Sequence, residues 1–141
     1  MPTTSEYVGN VQLIITGRSL DPAHVTRLLR IKPFASWRRG DHVTKSSLHR
    51  EGGWIAKLSA SAHSRPIERQ LKAWLRKLTS AAAPIRRLQA EGYYCRLRWF
   101  AATESTVSIV LPNELQRALA KLNVHWEISI FAHKESDARA S

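Results

Sequence analysis

The sequence predicts an α+β domain, ferredoxin-like or a duplicated split βαβ sandwich, with a mostly antiparallel sheet and helices on one face. Three observations point there. Segments with period-two alternation of apolar residues trade places with segments of helical period. Three amphipathic helical stripes each need an apolar sheet face to cover them. A weak internal echo relates two stretches of chain: Val11–Leu58 runs strand, Leu-Asp-Pro, helix, Trp-Ile, and Val107–Ile130 runs strand, Leu-Pro-Asn, helix, Trp-Glu-Ile.

Val11–Gly17 is a β-branched apolar run stopped by glycine, hence a strand. Asp21 then precedes Pro22. Aspartate accepts hydrogen bonds from the free amides of a helix start, and proline is tolerated at the first helical position. Val25, Leu28 and Leu29 follow at helical spacing, and Pro33 forbids continuation. Ala35–Val43 reads as a short edge strand carrying Trp37, and the polar stretch 42–53 as a loop. Trp54, Ala56 and Leu58 alternate with more polar neighbours, a strand with one core face. Ser64-Arg65-Pro66 opens the longest helix, whose stripe is Ile67, Leu71, Trp74, Leu75 and Leu78. Thr79–Pro84 interrupts it, and a short helix Ile85–Glu91 ends at Gly92 as a left-handed cap.

Tyr93–Ala102 alternates again. Thr103-Glu104-Ser105 reads as a turn and Thr106–Leu111 as the next strand, so the two strands are expected to form a hairpin. Pro112 and Asn113 open a third helix with Leu115, Ala118, Leu119 and Leu122 on one face, ended by a left-handed Asn123. Val124, Trp126, Ile128 and Ile130 give the inner face of a last strand. Residues 1–10 are expected to form an N-terminal arm, 11–133 a single α+β domain and 134–141 a polar tail.

One domain is the natural expectation for 141 residues. A chain of this length buries roughly two-thirds of its extended surface and needs neither metal nor disulfide to fold. No window approaches the roughly 18 apolar residues of a membrane span, so membrane insertion is not expected. Residues 1–10 show no basic segment followed by an apolar one, so no signal peptide is read. The lone Cys95 excludes an internal disulfide and fits a reducing compartment, which suggests a cytoplasmic protein. The net charge is +11, from 22 Lys and Arg against 11 Asp and Glu, with arginine ahead of lysine by 15 to 7. Guanidinium groups fork onto carboxylates and phosphates and stack on rings. Such a surface draws acidic protein, nucleic acid or anionic lipid, or simply reflects an arginine-rich proteome.

Three basic constellations stand out. On the strand beginning at Tyr93, Tyr94, Arg96, Arg98 and Phe100 share one face. Such a face suits base stacking and phosphate clamping, or pins a carboxylate-rich loop. The plainer alternative packs Tyr94 and Phe100 under a helix or loop with both arginines reaching solvent. Trp37-Arg38-Arg39-Gly40-Asp41 can expose turn amides beside paired guanidinium groups, an anion pocket. Its alternative is structural: Trp37 anchors, Gly40 turns, and Asp41 pairs with one arginine. Arg65, Arg69, Lys72 and Arg76 form one ridge of the long helix, either a phosphate track or a solvated face.

Nothing argues for catalysis. There is no nucleophile elbow, phosphate loop or dinucleotide fingerprint. The six histidines lack metal-ligand spacing, and the acids are scattered, with only Asp41, Glu51 and Glu127 near inner positions. No metal and no cofactor are expected.

The N-terminal strand, Leu20-Asp21-Pro22, Leu28-Leu29-Arg30-Ile31-Lys32-Pro33, Arg39-Gly40-Asp41 and Gly53-Trp54 form a first group of motifs. Leu115–Leu122 and the closing Trp126-Glu127-Ile128-Ser129-Ile130 form a second. Together, over about residues 10 to 131, they resemble the bacterial domain-of-unknown-function 4279 family. The resemblance implies a small single-domain protein and transfers no catalytic residue. Two functional readings follow. The first is a non-enzymatic binding module, an adaptor or immunity-type protein, that docks an acidic protein partner through Arg38, Arg39, Arg96 and Arg98. The alternative is a single-stranded nucleic-acid binder using the Tyr94-to-Phe100 face and the basic helix 65–77. Oligomeric state is not encoded in these patterns.

Overall fold

The computed structural model describes residues 7–59, 65–103, 106 and 108–132. Along the chain run β1 (Tyr7–Gly17), α1 (Pro22–Leu29), β2 (Ala35–Trp37), β3 (Gly52–Lys57), α2 (Ile67–Ser80), α3 (Ala82–Ala90), β4 (Tyr94–Thr103), α4 (Asn113–Leu122) and β5 (His125–Ala132). The strands make one sheet in the order β2-β3-β1-β4-β5. Neighbours are antiparallel except β4 and β5, which run parallel. The fold is thus α+β with a mostly antiparallel open sheet, consistent with a ferredoxin-like or split βαβ arrangement. Of the sequence expectations, the arm before residue 7, Ser64, the Glu104–Ser105 turn and the tail from 134 lie outside the described residues.

β1 is central, and its composition explains why. Val11, Leu13 and Ile15 face the helices and are fully buried with Trp54, Ala56, Leu97, Trp99 and Ala101. Onto them pack Val25 and Leu29 of α1, Leu71, Trp74, Leu75 and Leu78 of α2, Ile85 and Leu88 of α3, and Leu115, Leu119 and Leu122 of α4. The four helices of the described residues therefore cover one face, as their stripes require. Cys95 lies in this core, and burial pushes its thiol up to about 12, so it stays protonated and a poor nucleophile.

The local signals act as read. Asp21 accepts from the Ala23 amide at 3.1 Å, and Pro22 starts α1. Asn123 closes α4 in the left-handed region at φ 54°. Gly92 takes φ 92° after α3. Three boundaries move. α1 ends at Leu29 because Arg30 adopts a left-handed cap at φ 56°, ahead of Pro33. The break between the central helices shrinks to Ala81, since Pro84 sits in the first turn of α3, where its missing amide costs little. β1 also begins at Tyr7, four residues before Val11, because β4 is long enough to pair with it back to Thr103.

Two expectations are corrected. Thr106–Leu111 forms no strand among its described residues, and β4 makes no hairpin with it. Both edges of β4 are occupied, by β1 and by β5. A parallel β4–β5 pair needs a crossover, and this segment with α4 supplies it. Ile109 and Leu111 tuck against the core while Val110 stands exposed, so the alternation that resembles a strand serves packing alone. Val124, just ahead of β5, is buried and Trp126 within it packs against the core, but Ile128 and Ile130 are exposed. They belong to the helix side of an edge strand, beyond the reach of the helical layer. The two echoing halves also differ: the second, Val107–Ile130, opens on no strand among its described residues, and β5, which closes it, runs parallel to its neighbour β4, whereas β3, which closes the first, is antiparallel to β1.

One polar residue is built into the core. β3 pairs with β1 only from Gln12 onward, which leaves Gly9 and Val11 without a strand on that side. α2 fills the gap with side chains. Gln70 Oε1 accepts from the Val11 amide at 2.8 Å, and Gln70 Nε2 donates to the Gly9 carbonyl at 3.2 Å and the Arg65 carbonyl at 2.9 Å. Trp74 Nε1 donates to the Val11 carbonyl at 2.7 Å. Buried backbone groups must find partners, and here a helix supplies what a strand would.

Candidate functional site

The sheet face away from the helices carries two cross-strand rows that matter. Trp37, Gly53, Thr16 and Tyr94 align across β2, β3, β1 and β4. Ala35, Ile55, Ile14, Arg96 and His125 align in the next row, reaching β5. The middle of this face is closed, with Ile14 2% and Thr16 8% exposed, whereas Tyr94 and Phe100 are 43% and 42% exposed. The alternative that buries these two rings under a helix or loop is therefore excluded. Their side chains face away from the helical layer, and β4 is the next-to-last strand of the sheet.

The aromatic groups at this end are stacked in pairs. Trp37 stacks on His49 with ring centroids 4.6 Å apart, and Tyr94 stacks on His125 at the same distance. Trp37 is seated by its Nε1, which donates to the Glu51 carbonyl at 3.1 Å. Its ring also occupies the space where a Cβ on Gly53 would lie, 2.1 Å from the nearest ring atom. Only glycine at position 53 lets the indole lie flat on the strand. At the other end of β4, Phe100 and Phe131 meet at 6.4 Å in a tilted arrangement.

Arg96 and Arg98 share one acid. Arg98 Nε is in close contact with Glu127 Oε1, and Arg96 Nε lies 3.7 Å from the same oxygen. This trio keeps one net positive charge. Arg96 also sits 5.6 Å from the Tyr94 centroid, a cation–π contact at the edge of its range.

The Trp37–Asp41 turn resolves into structure on one side and a charged cleft on the other. Gly40, at φ 92°, donates its amide to the His49 carbonyl at 2.9 Å, and the Asp41 amide goes to the Arg38 carbonyl at 3.1 Å. The Gly40 and Asp41 amides are thus turned inward and not toward an anion. Asp41 Oδ2 accepts from the Arg38 backbone amide at 2.8 Å, so it fixes the turn and binds no guanidinium. The Arg38 guanidinium instead meets Asp21 Oδ1 at 2.9 Å, tying this turn to the start of α1.

Arg39 points elsewhere. With Arg18, Arg50 and Glu51 it lines an open cleft of about 600 Å³. The three arginines come from three chain segments that the sheet gathers. Gly17 pairs with Gly52, so Arg18, one residue past β1, and Arg50, two residues before β3, meet at the same sheet end. Arg39 follows Trp37, whose partner is Gly53. None of the three arginines, nor Glu51, is in an ion pair among the described residues. The cleft therefore holds three unpaired cations against one acid. Arg18, Arg50, His49 and His125 were not singled out in the sequence. The signal for the first two was their position flanking Gly17 and Gly52-Gly53, legible only once those two strands are known to pair.

The ridge is exposed, with Arg69, Lys72 and Arg76 on α2, Arg65 just ahead of it, and Lys72 3.3 Å from Glu68. Because α2 lies on the covered face, this ridge and the Tyr94–Phe100 face are on opposite sides of the sheet and do not form one binding surface. Among the described residues, no group of three His, Cys, Asp or Glu gathers as a metal site, and no helix is long and apolar enough to cross a membrane.

No curated protein and no solved structure matches the chain. The family described as a domain of unknown function, DUF4279, matches residues 5–133. That span takes in every strand and helix described above, and the chain belongs to this family.

Proposed function

We propose that this chain is a cytoplasmic, non-enzymatic binding module that docks an acidic macromolecular partner through arginine-rich surface, as an adaptor or immunity-type protein would. The observation that carries the reading is the convergence of Arg18, Arg39 and Arg50 on one cleft with no ion pair to neutralise them. Like charges gathered at a sheet end repel one another, and a polyanion relieves that repulsion. Arg96 and Arg98, half neutralised by Glu127, extend the positive field along the exposed face. Arg38 contributes less, because its guanidinium is held by Asp21.

The test compares two double charge reversals of equal size. Arg39→Glu/Arg50→Glu is expected to elute from a heparin column at clearly lower salt than Arg69→Glu/Arg76→Glu, although both change the net charge equally. Equal displacement of the two variants would show that retention follows overall charge, and the docking surface would be wrong.

A further inference from the structure

We infer that the acidic partner is a single-stranded nucleic acid, its phosphates held by Arg18, Arg39 and Arg50 and a base stacked on Tyr94. The inference rests on the docking reading above and names its ligand. An acidic protein segment needs cations alone. This end of the sheet offers cations and a flat ring together, the combination by which single strands are held without sequence-specific contacts.

The geometry is consistent at each step. Trp37 and Tyr94 stand in one cross-strand row, separated by Gly53 and Thr16. Three strand spacings put the Trp37 and Tyr94 backbones about 14 Å apart, and the Trp37 ring leans from β2 over Gly53. Between that ring and Tyr94 the row holds only Thr16, a small residue. Tyr94 is stacked on His125, which fixes its orientation before a ligand arrives while the residue stays 43% exposed. Such preorganisation lowers the ordering cost of binding. The arginine cleft opens at the same sheet end, with Arg18 two residues beyond Thr16 and Arg39 two beyond Trp37. Its volume, about 600 Å³, is of the size that takes a nucleotide-scale group. A duplex keeps its bases stacked on each other and offers the ring nothing, so single strands are the expected class.

Fluorescence polarisation with a labelled eight-residue oligouridylate tests this, with oligothymidylate, a DNA duplex and poly-glutamate as parallel arms. Oligouridylate or oligothymidylate is expected to bind at low salt, with log K falling against log salt at a slope of roughly −2 for three phosphate contacts. Tyr94→Ala, at an exposed position outside the core, is expected to weaken that binding about tenfold while the melting temperature stays within a few degrees of the parent. Arg39→Ala is expected to flatten the salt slope by about 0.7. The two single-stranded arms separate RNA from DNA. The inference is overturned if neither oligonucleotide binds, if Tyr94→Ala binds as the parent does, or if the duplex binds as tightly as the single strand. Heparin retention that still depends on Arg39 and Arg50 would then leave the docking reading standing, with poly-glutamate binding assigning the partner as acidic protein. Insensitivity of heparin retention as well would remove both.

Discussion

Replacing Trp74 with alanine is expected to lower the unfolding free energy by about 3–5 kcal/mol, the range for deleting a buried tryptophan. The indole is 1% exposed, in the core between α2 and the sheet. Two losses combine. The apolar ring leaves a cavity that the surrounding Leu71, Leu75 and Leu78 fill only in part. The Val11 carbonyl also loses the donor that replaces a missing strand. Trp74→Phe shifts the balance between them: it keeps a six-membered ring, leaves a smaller cavity and removes the hydrogen bond, at a cost of about 1–3 kcal/mol. Urea unfolding followed by far-ultraviolet circular dichroism measures both, since four other tryptophans complicate fluorescence. A cost below about 1 kcal/mol for the alanine variant would contradict this packing.

Gln70→Leu is the second large effect, expected at about 2–4 kcal/mol despite nearly conserved volume. The leucine is more apolar and sits at a position 1% exposed, so burial alone predicts stabilisation. Hydrogen bonding predicts the reverse. The Val11 amide loses its Gln70 partner in a buried place, and the part-buried Gly9 and Arg65 bonds are lost with it. The sign of the measured change therefore decides between the two effects. Amide hydrogen exchange at Val11 gives a second readout, since its protection is expected to fall in Gln70→Leu. A variant more stable than the parent, with Val11 still protected, would show that the clamp contributes nothing.

Gln70 also shows what was legible in the sequence. It lies three residues after Ile67 and four before Trp74, on the apolar stripe of α2, where a polar residue is out of place. That misfit was the available sign that some backbone needed its amide. Which backbone depended on β3 being shorter than β1, a fact of strand pairing. The same division runs through the fold. Asp21-Pro22, Gly92 and Asn123 act within a few residues, and their caps form as read. Thr106–Leu111 has the alternation of a strand, but a strand also needs a free edge, and β1 and β5 had taken both edges of β4. Ile128 and Ile130 have the pattern of an inner face, but the helical layer stops short of the sheet edge.

The site divides in the same way. Trp37, Arg39, Tyr94, Arg96, Arg98 and Phe100 stood out because aromatic and basic residues alternate there along a short stretch. Their partners His49, His125 and Glu127 come from other segments, and so do Arg18 and Arg50. Register alone brings Gly17 opposite Gly52 and Arg98 opposite Glu127. The basic ridge of α2 stood out equally in the sequence, and the layering of the fold sets it on the far side from the aromatic face.

The most direct measurement is a titration of isotope-labelled protein with a heparin hexasaccharide, followed by amide chemical shifts. If the arginine cleft is where anions dock, shifts concentrate at residues 16–18, 38–41, 49–53 and 94–96. Shifts that instead follow Arg69–Lys77 and Arg86–Arg87 on the helical side, leaving the cleft unmoved, would contradict the account.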